Sequence, residues 1–428
     1  MRAALWLLGL FGVAVATALI AGNNPGTVTV FWPPYRVDLS LNLVIVVLTV
    51  LFIVLHLALR ALAALFAMPG HARSWRLQHQ ERALHVSLLD ALSHLLAGRF
   101  IRARKSAEAV LVREAAVSRG HDELSYSGRL RALSHLLAAE SAHTLQDTNA
   151  RDDHFSKALE QASRTDAQGV SEALQLRAAK WSLEDHDALR ALQWLDEMPV
   201  GTSRRTIALR LRLDAARMAR HTAPALETAR LLSKHRAFSP LASERILRSL
   251  AQELVSSAHD SDQLMRVWSR LDGAERTIPE VAIAAAQRML ELDGDVSVAR
   301  TWLLPLWERM VAHAEDLTLV QRTSLVQVLE QGFSLATGAP DPSWLTRIET
   351  AQNGRPGDSL LQYLAGIACM RLQLWGKAQQ LLMQSLPRLK GSRLEANAWQ
   401  ALALLAEQKD DSDAAARAWK KAATLTRT

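Results

Sequence analysis

The sequence predicts an all-α protein: two N-terminal transmembrane helices, a short periplasmic β-hairpin loop between them, and then an α-solenoid of short helical pairs. Three observations carry that prediction. Two uncharged apolar runs stand near the N terminus, Ala3 to Ala21 and Leu41 to Leu59. After Arg73 the chain is rich in Ala, Leu, Arg, Glu and Gln, with almost no Val/Ile/Tyr alternation, which is helix-forming composition. From about Leu84 the apolar positions fall at helical spacing between frequent turn signals, so the natural unit is a pair of short antiparallel helices.

Each apolar run of about 19 residues nearly crosses a hydrocarbon core of ~30 Å at ~1.5 Å per residue. The alternative for the first is a cleaved signal peptide, since Arg2 makes a charged start and Ala16-Thr17-Ala18 resembles a cleavage site; h-regions of ~7–15 residues are shorter than this run. Arg60, Arg73, Arg76 and Arg82 follow the second run, whereas the intervening loop has only Arg36 against Asp38. That asymmetry places both termini and the large domain in the cytoplasm of a bacterial inner membrane. Within the loop, Thr27–Trp32 and Tyr35–Leu39 alternate about Pro33-Pro34, which reads as a hairpin. Gly12 and Ala16 have the small-xxx-small spacing of closely approaching membrane helices.

The repeats are clearest at the C-terminal end. Ala378, Leu382 and Ser385 form a small/large/small triplet that Ala415, Trp419 and Ala422 repeat 37 residues later. Tetratricopeptide units have a period of about 34 residues, with small residues where their two helices touch. Gly366 and Trp399 fall at the first-helix positions such units prefer. Near the membrane, Gly98-Arg99-Phe100 is a turn followed by Ala103, Ala107 and Val110. Weaker units end at Ala191/Leu195, Ala225/Ala229/Leu232, Leu264/Trp268/Leu271 and Ala299/Leu303/Leu306, their phase between residues 130 and 310 left open. Units of this kind stack, and first-helix residues not needed for packing line a groove. In the last two units those are Leu360, Tyr363, Ile367, Met370 and Arg371, then Asn397, Gln400, Leu404 and Glu407, a mixed lining that suits a protein segment. The expected organisation is a transmembrane helix over 1–22, a periplasmic loop over 23–40, a second span over 41–65, a cytoplasmic repeat domain over 66–337, a turn-rich hinge over 338–358 and a C-terminal pair over 359–428.

Several function classes have no support. The formal charge of +7 is carried by Arg scattered along helical faces, without basic blocks and interleaved aromatics, so nucleic acid is not an expected partner and a lipid bilayer is. Cys369 is the single cysteine, which rules out an internal disulfide and a multi-cysteine zinc site. No GxGxxG, GxxxxGK[ST], HExxH, GxSxG or CxxCH occurs. No catalytic, cofactor or metal residue is expected. His71, His79 and His85 do not share a helical face, and Asp147, Asp152, Asp153 and His154 read as a polar inter-helix turn.

The whole chain resembles the proteobacterial HemY family of tetratricopeptide inner-membrane proteins. The resemblance lies in the two membrane helices, the Asn23-Asn24-Pro25-Gly26 to Trp32-Pro33-Pro34 loop, and Arg82–Val110 with Leu92, Gly98, Ala103 and Ala107. A flavoprotein oxidase shares the name, but it needs a dinucleotide fingerprint that this chain lacks. The resemblance implies a non-catalytic scaffold or regulator of late protohaem synthesis that gathers pathway enzymes, ferrochelatase among the candidates. Two alternatives stay open: a scaffold for another envelope pathway such as lipopolysaccharide assembly, and a haem or porphyrin carrier using His56, His79 or His85.

Overall fold

A computed structural model of the chain describes residues 13, 26–118, 126–164, 168–335 and 341–426. Apart from Val13, the first apolar run lies outside the described residues. The chain divides into two compact units, Met1–Val170 and Ser171–Thr428.

The first unit begins with strands β1 (Thr27–Trp32) and β2 (Tyr35–Ser40), paired antiparallel with Thr27 opposite Ser40 and Trp32 opposite Tyr35. Val and Thr on a pleated surface favour this geometry, and Pro33-Pro34 makes the turn. Ser40 then caps helix α1, its hydroxyl accepting from the Leu43 amide at 3.3 Å. Helix α1 runs unbroken from Leu41 to Leu96. Its Leu41–Leu62 portion, none of it buried, is long and apolar enough to cross a bilayer. The membrane-capable stretch therefore lies within the second span expected over 41–65, and the helix continues beyond it without interruption to become the first helix of the first pair.

Helices α2 (Phe100–Ser118), α3 (Ser127–Thr144) and α4 (Thr148–Arg164) complete this unit. Ala91, Ala107 and Ala138 meet where α1, α2 and α3 cross, and Leu84, Val110, Val117 and Leu130 fill the space beside them. Alanine at a crossing lets backbones approach, and the larger neighbours then exclude water. One charge is buried there. Glu114 accepts from Arg131 at 2.7 and 2.8 Å and from Ser118 at 2.7 Å. Burial alone would raise its carboxyl; the Arg131 and Ser118 hydrogen bonds and the Arg131 charge hold it below the usual range instead.

The second unit continues the pairs. Its helices are α5 (Gln168–Glu184), α6 (Ala188–Asp196), the single turn α7 (Val200–Ser203), α8 (Thr206–Met218), α9 (Thr222–Lys234), α10 (Pro240–Ser256), α11 (Ser261–Arg270) and the short α12 (Gly273–Arg276). Then follow α13 (Pro279–Glu291), α14 (Val296–Ala312), α15 (Leu319–Leu335), α16 (Pro342–Gly354), α17 (Ser359–Arg371), α18 (Trp375–Leu389), α19 (Arg393–Glu407) and α20 (Ser412–Thr426). One hydrophobic core runs from Leu209 to Leu405. Part of the expected hinge over 338–358 is α16, packed through Trp344 edge-on against Trp307 at 5.8 Å.

Most pairs close with the same turn. Gly98, Gln146, His186, Arg220, Asp293, Gln373 and Asp410 all adopt positive φ. In each, two amides reach back to the preceding helix; Gln373 donates to Met370 at 3.0 Å and Leu374 to Cys369 at 2.9 Å. This satisfies orphan carbonyls and reverses the chain within three or four residues. An aspartate often opens the second helix, as when Asp147, Asp187 and Asp411 accept from Ala150, Arg190 and Ala414.

The expected packing positions Ala103, Ala107, Ala378, Leu382, Ser385, Ala415 and Ala422 are all buried on second helices, and Gly98 makes the predicted turn. Gly366 is the tightest crossing: a Cβ there would lie 2.8 Å from Leu382 Cγ and 3.3 Å from the Leu382 amide nitrogen. Trp399 is partly buried beneath Lys421, whose ammonium sits 4.1 Å from the ring centroid. Trp419 departs from the expected gap-filling role. It is 39% exposed, and its indole donates to Glu407 at 2.7 Å.

Gly366→Ala should lower stability by about 1 kcal/mol or more through overpacking, although Gly→Ala inside a helix ordinarily gains ~0.5–1 kcal/mol. Gly376→Ala, whose new Cβ meets nothing within 4 Å, should be neutral or stabilising. Chemical denaturation midpoints check both; a Gly366→Ala protein as stable as the parent would contradict the crossing.

Candidate protein-binding groove

The first helices of successive pairs in the second unit, α10, α13, α15, α17 and α19, pack against one another in a row. Their far sides bear on the second helices, leaving one face open. A cavity of about 390 Å³ lies on that face, lined by side chains of α10, α13, α15 and α19 alone. Its lining is rich in carboxamides: Gln252, Gln287, Gln321, Gln327, Gln331 and Asn397, with Glu280, Glu330 and Arg393 as its charged groups. Carboxamides each carry a donor and an acceptor, the same pair a peptide unit presents.

The two carboxylates differ. Glu280 is neutralised by Arg248 at 3.1 Å and accepts from Gln321 at 2.9 Å, both near the surface. Glu330 lies deeper, accepting from the Tyr363 hydroxyl at 2.6 Å and from the Asn397 side-chain amide at 3.2 Å. Burial pushes its carboxyl above the usual glutamate range, and these two hydrogen bonds only partly oppose that. No cation among the described residues is within ion-pair distance of it.

The structure redistributes the expected groove residues. Leu360, Tyr363 and Ile367 are buried, so they cannot be open lining. The reason is that α17 is enclosed by α15, α18 and α19, and Leu360 through Cys369 is buried throughout. Tyr363, expected as a contact residue, is instead a core residue whose hydroxyl holds Glu330. Met370 and Gln400 are half-buried, and Arg371, Leu404 and Glu407 are exposed. Asn397 alone among the nine lines the cavity. Sequence reasoning missed Glu330 and the glutamines of α13 and α15, since their faces are known only once the order of stacking is. The signal that was available is the recurrence of Gln at 321, 327 and 331 in one short stretch of sequence.

The histidines considered as carrier ligands do not converge. His56 and His79 lie on the single rod α1, about 35 Å apart at ~1.5 Å per residue, stacked on Phe52 and Trp75 respectively. The His85 ring nitrogen Nδ1 is 2.8 Å from the Glu81 carbonyl. The polar turn near Asp147 is a cap and ion-pair site in which Arg104 holds Asp147 at 2.9 Å. Beside it His135 and His154 approach at 3.0 Å between their Nδ1 atoms. Burial first, and then the His154 charge, lower His135 to about 4.

Comparison with known proteins gives one family. Residues 26–146 match the family described as HemY protein N-terminus, a stretch from the hairpin to the turn after α3. No curated protein matches the chain. Among solved structures, the chain is similar to the Cut9-Hcn1 hetero-tetramer of APC/C, at 15% identity over 80% of this chain with TM-score 0.28. It spans 66% of that neighbour's chain, short of two thirds. Naa15/Naa10 bound to HypK-THB follows at 12% identity, covering 78% of this chain and 68% of the other, TM-score 0.23. The P58(IPK) TPR domain matches at 12% identity over 77% of this chain and 99% of its own length, TM-score 0.21. At such TM-scores these likenesses define no common fold, and the helical-pair description rests on this chain's own helices and turns.

Because folding raises the Glu330 pKa, this group favours the folded state at low pH. That advantage is lost as pH rises through the folded value. The ionised carboxylate is then a cost that a glutamine would not carry. Glu330→Gln keeps an acceptor for Tyr363, so it should raise the thermal midpoint at about pH 8 and lose that gain toward about pH 4. Parallel melting curves that differ equally at all pH values would contradict the account of Glu330.

Proposed function

We propose, from the match of residues 26–146 to the family described as HemY protein N-terminus, that the chain is a non-catalytic inner-membrane scaffold or regulator with tetratricopeptide repeats. In this reading it recruits enzymes of a late step of protohaem biosynthesis, ferrochelatase among the candidates. The observation that carries the recruiting role is the carboxamide-lined groove across α10, α13, α15 and α19, which offers hydrogen-bond partners to an extended protein segment. The haem pathway enters through the family and the resemblance of the N-terminal region.

Topology follows from charge. Two spans, the first over residues 1–22 and the second within α1, place the hairpin in the periplasm and the helical pairs in the cytoplasm, where the arginines after the second span belong. Because α1 joins bilayer and first pair without a linker, tethering raises the effective concentration of the groove at the membrane surface without any new contact.

Capture of the full-length chain from solubilised membranes, followed by mass spectrometry, should enrich at least one enzyme of late protohaem synthesis. Enrichment of another envelope pathway in its place would overturn the pathway, and recovery of the chain alone would overturn the scaffold.

A further inference from the structure

We propose that the Glu330 carboxylate, at the floor of the first-helix groove, receives the lysine or arginine side chain of an extended protein segment laid across α13, α15 and α19. This deepens the groove reading above and rests on it. Four observations converge on the site.

First, Glu330 belongs to the cavity lining while Tyr363 and Asn397 fix it from behind, on α17 and α19. A carboxylate offers about four acceptor positions, and these two donors leave capacity on the open side. Second, its charge is uncompensated. The groove's other carboxylate already has Arg248, and Arg393 lines the cavity without an ion pair to Glu330 among the described residues. Third, the remaining polar lining is mostly carboxamide, which can hold a backbone but cannot select a charge. Glu330 is thus the group that discriminates. Fourth, packing does not require an acid. A glutamine oxygen would still accept the Tyr363 hydroxyl, and Asn397 with its amide turned over would accept from the glutamine NH2, both without the desolvation penalty of a charge; a ligand cation supplies the counter-charge that an acid there lacks.

The test uses the full-length protein in detergent micelles and two fluorescein-labelled nonapeptide pools with uncharged residues throughout, one carrying a central lysine and the other a central glutamine. Fluorescence anisotropy should show the lysine pool binding the parent protein at least about tenfold more tightly, as a charge-assisted hydrogen bond implies. Glu330→Gln should abolish that preference while leaving the glutamine pool's affinity unchanged, a result that a purely structural role does not produce. A melting curve confirms that the variant folds. Equal binding of both pools to the parent overturns the inference and leaves the groove standing as a peptide site. A preference that survives in Glu330→Gln overturns it as well, since the charge is then read elsewhere. Binding of neither pool overturns the inference and the groove reading together.

Discussion

Apart from α1 and the single turns, the helices run to between 9 and 19 residues, and isolated helices shorter than ~12–15 residues are marginal in water. The shorter ones must therefore be held by their neighbours, tertiary packing supplies most of the stability of the longer ones too, and how closely neighbours approach is set by the residues at the crossings. Gly366 against Leu382 is the sharpest instance, with no room for even a methyl group; Ala91, Ala107 and Ala138 do the same in the first unit. The short turns at positive φ make the approach repeatable, because they reverse the chain at one geometry whatever the side chain. Small residues at crossings and a common turn together oblige each pair to bury its remaining apolar face on the next.

That obligation produces the open face. First helices of the second unit contact one another, while second helices meet across wider gaps filled by aromatic pairs such as Trp268 with Trp302, stacked at 4.5 Å. The first-helix row then presents polar residues that packing does not consume. Tyr363 shows how sharply position decides role: a side chain of a type common at interfaces is wholly buried, and its hydroxyl acts through Glu330 instead.

The pair as a unit was legible because its cause is local. The triplets at Ala378/Leu382/Ser385 and Ala299/Leu303/Leu306 are read by helical spacing, and they fall on buried second helices. The hairpin strands were legible for the same reason, in alternation about Pro33-Pro34. The repeat phase was not, because only Gly98 among the seven positive-φ turn residues is glycine; Gln146, His186 and Gln373 carry no turn signature of their own, and the aspartates that follow several of them are the better marker. The groove was misplaced for a different reason. Which face of a first helix is open depends on its neighbours on both sides, a property of the stack that no single helix encodes.

The central claim is that the first-helix face, and not the outer face, recruits the partner. A photo-crosslinking amino acid placed in the full-length chain at Gln331, in the groove, and at Glu308, exposed on the second helix α14, separates the two in intact membranes. The account predicts a discrete crosslinked protein from position 331 and none from 308. The reverse pattern, a partner captured from 308 and nothing from 331, would contradict it.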